Sequence, residues 1–254
     1  MGRLRLTSIF GVMLLLLSQL VTVTAWSTGG YTDNGNLPIF GTHDWIALHA
    51  LNMLPLEEQW WIRENLDAYL LGTELPDNGG HPLGIGDQAL HHVYYNSTMT
   101  ITEAPAANRA QEEYNLALSY LEIGEIEEAA IHAGMMTHYI SDLGVFGHVM
   151  GVETDWGPET HHSDYESMAD TRMNEYPTDT YTKYIIYDGG HETLSAYDGA
   201  LEVAFDTTFD VDGPYTCTWM DSNYNISDPG FMNRTGESVN LCINTNRCAS
   251  HPLQ

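Results

Sequence analysis

The chain has 254 residues and a formal net charge of −27, because 35 acidic side chains outnumber eight lysines and arginines. Such an excess of negative charge repels polyanions and argues against a protein that binds nucleic acid by neutralising phosphates. Hydrophobic residues make up 43% of the sequence, which is enough for a globular domain with a sizeable core.

The first 25 residues predict a secretory signal peptide. Arg3 and Arg5 precede an apolar run from Ile9 to Val23, and Val23-Thr24-Ala25 resembles a signal-peptidase site. A retained membrane anchor is the alternative, but the run is short for a span and no stop-transfer pattern follows. We therefore expect a secreted, extracytoplasmic protein in which residues 26–254 form a single domain without a transmembrane anchor.

Most of this domain shows the periodicity of amphipathic helices. Loops are predicted where glycine and proline are frequent, at 26–42, 72–102, 143–160 and 207–235, and the best strand candidate is Tyr181–Tyr187. Helices are predicted from Asp44 to Pro55, Glu57 to Leu71, Glu103 to Gly124, Glu125 to Tyr139, His161 to Asn174 and Glu192 to Phe205, and over 236–249. The predicted fold is mainly α, a compact multi-helix domain with long connecting loops.

Three cysteines lie near the C-terminal end, far from the histidine-rich segments, so a thiolate zinc site is not expected. In an exported protein they are compatible with one disulfide and a spare thiol. Cys217 could pair with Cys242 or with Cys248, and the sequence does not choose between them.

Five residues in two neighbouring segments have the types and spacing of a metal cluster: His138, Asp142, His148, His162 and Glu166. His138 and Asp142 are four residues apart, as are His162 and Glu166, which places each pair on one face of a helix. Imidazole and carboxylate are ligands that suit Zn²⁺ where thiolates are absent. The pattern therefore predicts a multinuclear metal site.

The other histidines are each interpreted as surface or satisfied core residues. His161 competes with His162, but only His162 lies four residues before a carboxylate. The remaining histidines interpreted in this way are His49, His81, His91, His132, His191 and His251.

The pattern His138-x3-Asp142-x5-His148, followed by His162-x3-Glu166, resembles the core pattern of the zinc-dependent phospholipase C family. Upstream segments strengthen the resemblance, which covers most of the chain from 26 to about 175. These are Trp26 as the residue after the signal peptide, Gly41-Thr42-His43, and Pro76-Asp77 followed by His92-Val93-Tyr94.

The resemblance implies a phospholipase C/P1 nuclease-like fold whose loops carry ligands for three Zn²⁺ ions. One zinc would be held by Asp77, His92, His138 and Asp142. A second would be held by Trp26, through its α-amino group and carbonyl oxygen, together with His43 and the bridging Asp142. The third would be held by His148, His162 and Glu166. His91 adjoins His92 and competes with it for the same role.

The resemblance further implies a zinc-dependent phosphoric diester hydrolase. Its expected substrate is a phospholipid or another phosphodiester, with Asp77 orienting or deprotonating the attacking water. One alternative is an S1/P1-type single-strand nuclease, whose last ligand is typically Asp where this chain offers Glu166. The acidic surface also argues against stable nucleic-acid binding. Another alternative is a non-catalytic zinc-binding envelope protein.

Overall fold

The computed structural model describes residues 41–173, 181–186 and 193–250. The mainly α prediction is confirmed, since these residues form nine α-helices and one short β-hairpin. The helices are α1 (Thr42–Met53), α2 (Leu56–Glu64), α3 (Leu66–Glu74), α4 (Pro105–Ile123), α5 (Ile126–Asp142), α6 (His162–Met173), α7 (Ala196–Phe209), α8 (Cys217–Ser222) and α9 (Pro229–Ser250).

The central element is α5, which packs against α1, α3, α4, α7 and α9. Its second half is buried without interruption from Ala133 to Asp142. The break between α4 and α5 was predicted at Gly124, which adopts φ +81° and ends α4 in the left-handed conformation that favours glycine. The chain reverses there and brings the two helices together as an antiparallel pair.

Helices α3 and α5 approach each other so closely that only glycine fits at the contact. A Cβ atom on Gly134 would lie 2.0 Å from the carbonyl oxygen of Tyr69. A Cβ atom on Gly72 would lie 2.1 Å from the carbonyl oxygen of Ile131. This contact fixes the position of α5 along its axis relative to α3. It therefore also fixes where the C-terminal residues of α5 lie relative to the segment that follows α3.

The long connection between α3 and α4 contains structure of its own. A 3-10 turn covers Gln88–Leu90, and strands β1 (Tyr94–Tyr95) and β2 (Ile101–Glu103) form an antiparallel hairpin with a bulge. The sequence predicted only a loop here. These strands are too short to produce a readable alternation of polar and apolar residues.

The predicted helix from Glu57 to Leu71 is divided into α2 and α3. Asn65 interrupts it with φ −126° and ψ 37°, and its side-chain amide donates a hydrogen bond to the carbonyl oxygen of Trp61. Asparagine competes with the helical backbone for hydrogen bonds in this way. Because the hydrophobic periodicity of a helix is present on both sides of Asn65, the sequence pattern does not reveal the break.

The strand prediction at Tyr181–Tyr187 is wrong over 181–186, where the chain forms a 3-10 turn at Thr182–Tyr184. Side-chain amides of α9 satisfy the backbone of Ile186 instead of a neighbouring strand. Asn240 Oδ1 accepts a hydrogen bond from the Ile186 N–H at 2.8 Å, and Asn244 Nδ2 donates to its carbonyl oxygen at 3.0 Å. Tyr187 lies outside the described residues.

The three cysteines are buried and form no disulfide with one another, so the one disulfide that the sequence allows is not formed. Cys217 and Cys242 lie on different helices and fill the core as small apolar side chains. Burial raises the pKa of Cys217 to about 12. These thiols are therefore packing groups.

Several predictions from the sequence fall outside the described residues. They are the signal peptide at 1–25, Trp26, most of the predicted loop 26–42, His191 and His251. Among the residues that the structure describes, no helix has both the length and the apolar character needed to cross a membrane.

We predict that Gly134→Ala lowers the free energy of unfolding by roughly 3 kcal/mol, because the added methyl group would collide with backbone atoms that cannot move independently. Urea denaturation of the zinc-loaded protein would measure the change. Gly80→Ala is the control, since the nearest atom to its Cβ would be Asn78 Oδ1 at 3.6 Å. Equal stability of the two variants would contradict the close approach of α3 and α5.

Candidate metal centre

The C-terminal half of α5 supplies the middle of the site. His138 and Asp142 lie one turn apart, with His138 Nε2 3.1 Å from Asp142 Oδ2. His43, from the first turn of α1, approaches the other oxygen, with its Nε2 3.1 Å from Asp142 Oδ1. All three side chains are fully buried. Asp142 therefore lies between two groups of potential ligands, the position that the family resemblance implies for it.

The connection after α3 brings Asp77 and His91 to the same place. His91 Nδ1 lies 2.8 Å from Asp142 Oδ2 and 3.5 Å from Asp77 Oδ1. The same nitrogen lies 3.4 Å from His138 Nε2. Asp77, His91 and His138 thus form a group whose potential ligand atoms lie within 4.8 Å of one another.

The placement of His92 in this group is wrong, and so is the interpretation of His91 as an ordinary core residue. His92 points away from the cluster, and its Nε2 lies 3.1 Å from Glu103 Oε2 at the surface. The two histidines are adjacent in the 3-10 turn region, where neighbouring side chains diverge. The sequence could not decide which one turned inward.

His148, His162 and Glu166 form a third group. His162 Nε2 lies 2.8 Å from Glu166 Oε1 and 3.2 Å from His148 Nε2. A glycine before His148 permits this arrangement, because a Cβ atom on Gly147 would lie 2.5 Å from the His162 ring. His148 Nε2 is also 3.9 Å from Asp142 Oδ1, which connects this group to the other two.

The start of α6 is fixed by a carboxylate from α8. Asp221 Oδ1 accepts hydrogen bonds from the backbone N–H groups of Thr160 and His161 at 2.8 and 3.0 Å. Negative charge at a helix N-terminus is stabilising. His161 turns outward and its ring lies beside Asp164, so the choice of His162 from the spacing agrees with the structure.

The hydrogen bonds on the far side of each ring show where the lone pairs point. His138 Nδ1 donates to the carbonyl oxygen of Thr73 at 2.6 Å, since a carbonyl can only accept. His91 Nε2 lies 3.0 Å from Asp87 Oδ1, which places its proton there. In the neutral rings, the lone pairs of His138 Nε2 and His91 Nδ1 therefore face each other. Two lone pairs in this arrangement repel unless a cation lies near both.

The three buried carboxylates of the cluster also require a nearby cation. Apart from the imidazole contacts given above, no described residue donates a hydrogen bond to either oxygen of Asp77, Asp142 or Glu166, although all six oxygens are buried. A buried carboxylate without hydrogen bonds is strongly destabilising unless a cation compensates it. With neutral imidazoles, the donor set carries three negative charges. It fits zinc, which binds imidazole nitrogen and carboxylate oxygen.

Without a cation, protons would have to supply this positive charge. Burial opposes a charged His91 ring, but its contacts with Asp142 and Asp87 raise its pKa to about 10. Burial likewise opposes a charged His162, whereas Glu159 and Glu166 raise its pKa to about 9. At His43, burial and the neighbouring His138 outweigh the effect of Asp142 and lower the pKa to about 4. Protons and metal ions therefore compete for the same centre.

A second layer of residues holds His91 in place. Asp87 accepts hydrogen bonds from Tyr139 Oη at 2.9 Å and Arg109 Nε at 3.0 Å in addition to its contact with His91. Arg109 in turn pairs with the buried Glu113. A carboxylate behind a histidine fixes the tautomer of a metal ligand in this way.

A cleft of about 290 Å³ opens onto the third group. It is lined by His148 and His162 on one side and by residues of the 3-10 turn and hairpin on the other, including Gln88 and Tyr94. A larger cavity of about 900 Å³ lies between α7 and α9 and contains none of the clustered histidines. We assign the smaller cleft to the site, because His91, His148 and His162 line it.

Comparison with known proteins identifies the family. The sequence profile described as "Zinc dependent phospholipase C" matches residues 42–208, which include every clustered side chain described above. The chain belongs to the zinc-dependent phospholipase C family. The resemblance inferred from the spacing of the histidines and carboxylates is thereby confirmed. No curated protein matches the chain.

A solved structure of a clostridial toxin shares the fold. The chain is similar to the alpha toxin from Clostridium absonum, with 17% identity and a TM-score of 0.55, over 84% of this chain and 62% of the toxin. It is also similar to the Clostridium perfringens alpha-toxin isolated from avian strain SWCP. There the identity is 15% and the TM-score 0.49, over 84% of this chain and 63% of the toxin. The chain therefore spans less than two thirds of either toxin.

The sequence contained a signal for His91 that the family pattern obscured. Asp87 precedes His91 by four residues, the same spacing that singled out the pairs on α5 and α6. Here the carboxylate supports the ring from behind instead of sharing its ligand face. Arg109 and Thr73 could not be found in this way, because they reach the site from other elements.

We predict that His91→Ala lowers the zinc content by about one ion per chain, because it removes a central donor, whereas His92→Ala leaves it unchanged. Atomic absorption on extensively dialysed protein would measure both. The two variants are matched in type and differ by one position. If only the His92 variant loses zinc, His92 and not His91 is the ligand.

We predict that Asp87→Asn weakens zinc binding by about tenfold, because the charge that orients His91 is lost. Competition with a chromophoric chelator would measure the affinity. Glu112→Gln is the control, since Glu112 pairs with the same arginine at the surface, at 2.6 Å from Arg109 Nη1. If both variants weaken zinc binding equally, the effect does not come from the contact between Asp87 and His91, and the prediction is contradicted.

Proposed function

We propose that this protein is an exported, zinc-dependent phosphodiester hydrolase that cleaves phospholipid headgroups in the manner of a phospholipase C. The observation that carries the proposal is the convergence of imidazole lone pairs and buried carboxylates without hydrogen bonds on one centre beside an open cleft. Membership of the zinc-dependent phospholipase C family supports the same reaction class.

The residues present would hold three zinc ions. Asp77, His91, His138 and Asp142 would hold one, and His148, His162 and Glu166 would hold another. His43 and the bridging Asp142 would hold the third, together with Trp26, which lies outside the described residues. When bound, zinc lowers the pKa of water towards neutrality and offsets the negative charge of a phosphate.

Asp77 is the residue that we assign to the attacking water. Its side chain is 6% exposed, compared with 3% for Glu166 and 0% for Asp142, so it is the least enclosed carboxylate of the cluster. Burial raises its pKa to about 6. Its oxygens accept no hydrogen bond from the described residues and are available to orient water or to take up its proton.

The outer part of the cleft favours a substrate with a cationic end. Tyr94 lines it, and burial together with Glu153, Glu159 and Glu103 raises the pKa of the Tyr94 hydroxyl to about 12. An aromatic ring among carboxylates attracts a quaternary ammonium group. A zwitterionic headgroup such as phosphocholine would place its phosphate at the metal centre and its cation near these residues.

Export and metal binding would be linked through the N-terminus. Cleavage after Ala25 would expose the α-amino group of Trp26, and only a free amine can serve as a ligand. Residues 26–254 would then form the active domain. This would provide a physical reason for cleavage at this position.

We predict that the processed protein hydrolyses phosphatidylcholine and a water-soluble phosphodiester but not single-stranded nucleic acid. A strong chelator should abolish hydrolysis and added zinc should restore it. The histidine and carboxylate side chains cannot by themselves replace zinc in activating water and offsetting the charge of the phosphate. Release of phosphorylated headgroup would be measured directly. Cleavage confined to nucleic acid would replace the proposal with a nuclease, and zinc binding without any hydrolysis would indicate a non-catalytic protein.

We predict that His148→Ala reduces hydrolysis by about a hundredfold or more and lowers zinc content, because it removes a donor that lines the cleft. His161→Ala is the matched control, since its side chain is 39% exposed and points away from the centre. Full activity and full zinc content in the His148 variant would contradict the ligand assignment.

A further inference from the structure

Four large apolar side chains are exposed on segments that border the cleft. Leu90 and Ile101 are each 39% exposed, Met99 is 60% exposed and Val152 is 74% exposed. Leu90 directly precedes His91, and Val152 directly follows Gly151, both of which line the cleft. Met99 and Ile101 belong to the hairpin that contributes Tyr94. We call these four residues the apolar rim.

Hydrogen bonds tie these segments to one another and to the metal centre. The Val93 N–H donates to the carbonyl oxygen of His148 at 3.2 Å. The Ser97 N–H donates to Asp155 Oδ2 at 2.7 Å, and Trp156 Nε1 donates to the carbonyl oxygen of Tyr95 at 3.0 Å. The hairpin and the segment 151–157 are therefore held together beside the cleft.

The hairpin tip holds Met99 outward at a conformational cost. Met99 has φ +60°, a conformation that is uncommon for residues other than glycine and asparagine. Asn96 stabilises the turn, since its Oδ1 accepts hydrogen bonds from the N–H groups of Thr98 and Thr100 at 3.0 Å. A polar residue would suit both this backbone and this exposure better. An exposed methionine here therefore points to contact with an apolar partner.

The charge around the rim restricts what that partner can be. Residues 83–104 and 143–165 contain no lysine or arginine, whereas Glu103, Glu153, Asp155 and Glu159 lie on the same segments. Such a surface repels anionic lipid. It is compatible with a zwitterionic bilayer, whose outermost groups are cationic when the headgroup is phosphocholine.

We propose that the apolar rim docks on the surface of zwitterionic phospholipid bilayers and holds the cleft at the lipid headgroups. The proposal rests on the proposed function, because a phospholipid must reach the metal centre from an interface. Insertion of a few apolar side chains into the headgroup region is sufficient for reversible binding. The rim would thus raise activity on assembled lipid without taking part in the reaction at the metal centre.

The test uses the double variant Met99→Asn/Val152→Ser. Asparagine tolerates the backbone conformation at position 99, so the hairpin should remain at least as stable. Binding to phosphatidylcholine vesicles, measured by sedimentation, should weaken by about tenfold or more. Hydrolysis of a water-soluble phosphodiester should be unchanged. Wild type should bind less well when part of the lipid is replaced by phosphatidylserine.

A control double variant, Leu56→Ser/Ile123→Asn, alters side chains that are 79% and 71% exposed and lie outside the rim. All proteins are compared in the same processed form, so that residues outside 41–250 contribute equally. Equal vesicle binding by wild type, rim variant and control would overturn the proposal, as would tighter binding to phosphatidylserine. If vesicle binding depends on the rim but no phosphodiester is cleaved, the proposed function fails and the docking surface stands.

Discussion

The structure depends on a concentration of negative charge and nitrogen lone pairs that the folded protein cannot stabilise by itself. Asp142 is fully buried on the central helix and lies within 3.1 Å of nitrogens from three histidines, which come from three different elements. Such a group is stable only when a cation, or protons in its place, offsets the charge. Metal binding at this centre would therefore be coupled to folding.

Close helix packing and fixed ring orientation give the centre its precision. The glycine contact between α3 and α5 brings the Thr73 carbonyl within hydrogen-bonding distance of His138. Asp87 performs the same task for His91 from the opposite direction. In both cases the group behind the ring determines which nitrogen is free to bind a metal. Residues that never touch the cation therefore control how it is held.

The acidic character of the chain has different consequences at different distances from the centre. At the core, carboxylates serve as potential ligands. Around Tyr94, in the function that we propose, they would attract a cationic headgroup, and on the rim they would repel anionic lipid. A negatively charged hydrolase can act on a phosphodiester because bound cations reverse the local field.

The sequence alone determined the features that depend on local spacing. His138 with Asp142 and His162 with Glu166 follow from the helical repeat, and the helix break at Gly124 follows from backbone freedom. Tertiary structure decided the rest. It turned His91 inward instead of His92, replaced the strand at 181–186 with a turn bound to α9, and kept the three cysteines apart. These outcomes depend on contacts between residues distant in sequence, and no local pattern encodes the direction in which a loop side chain points.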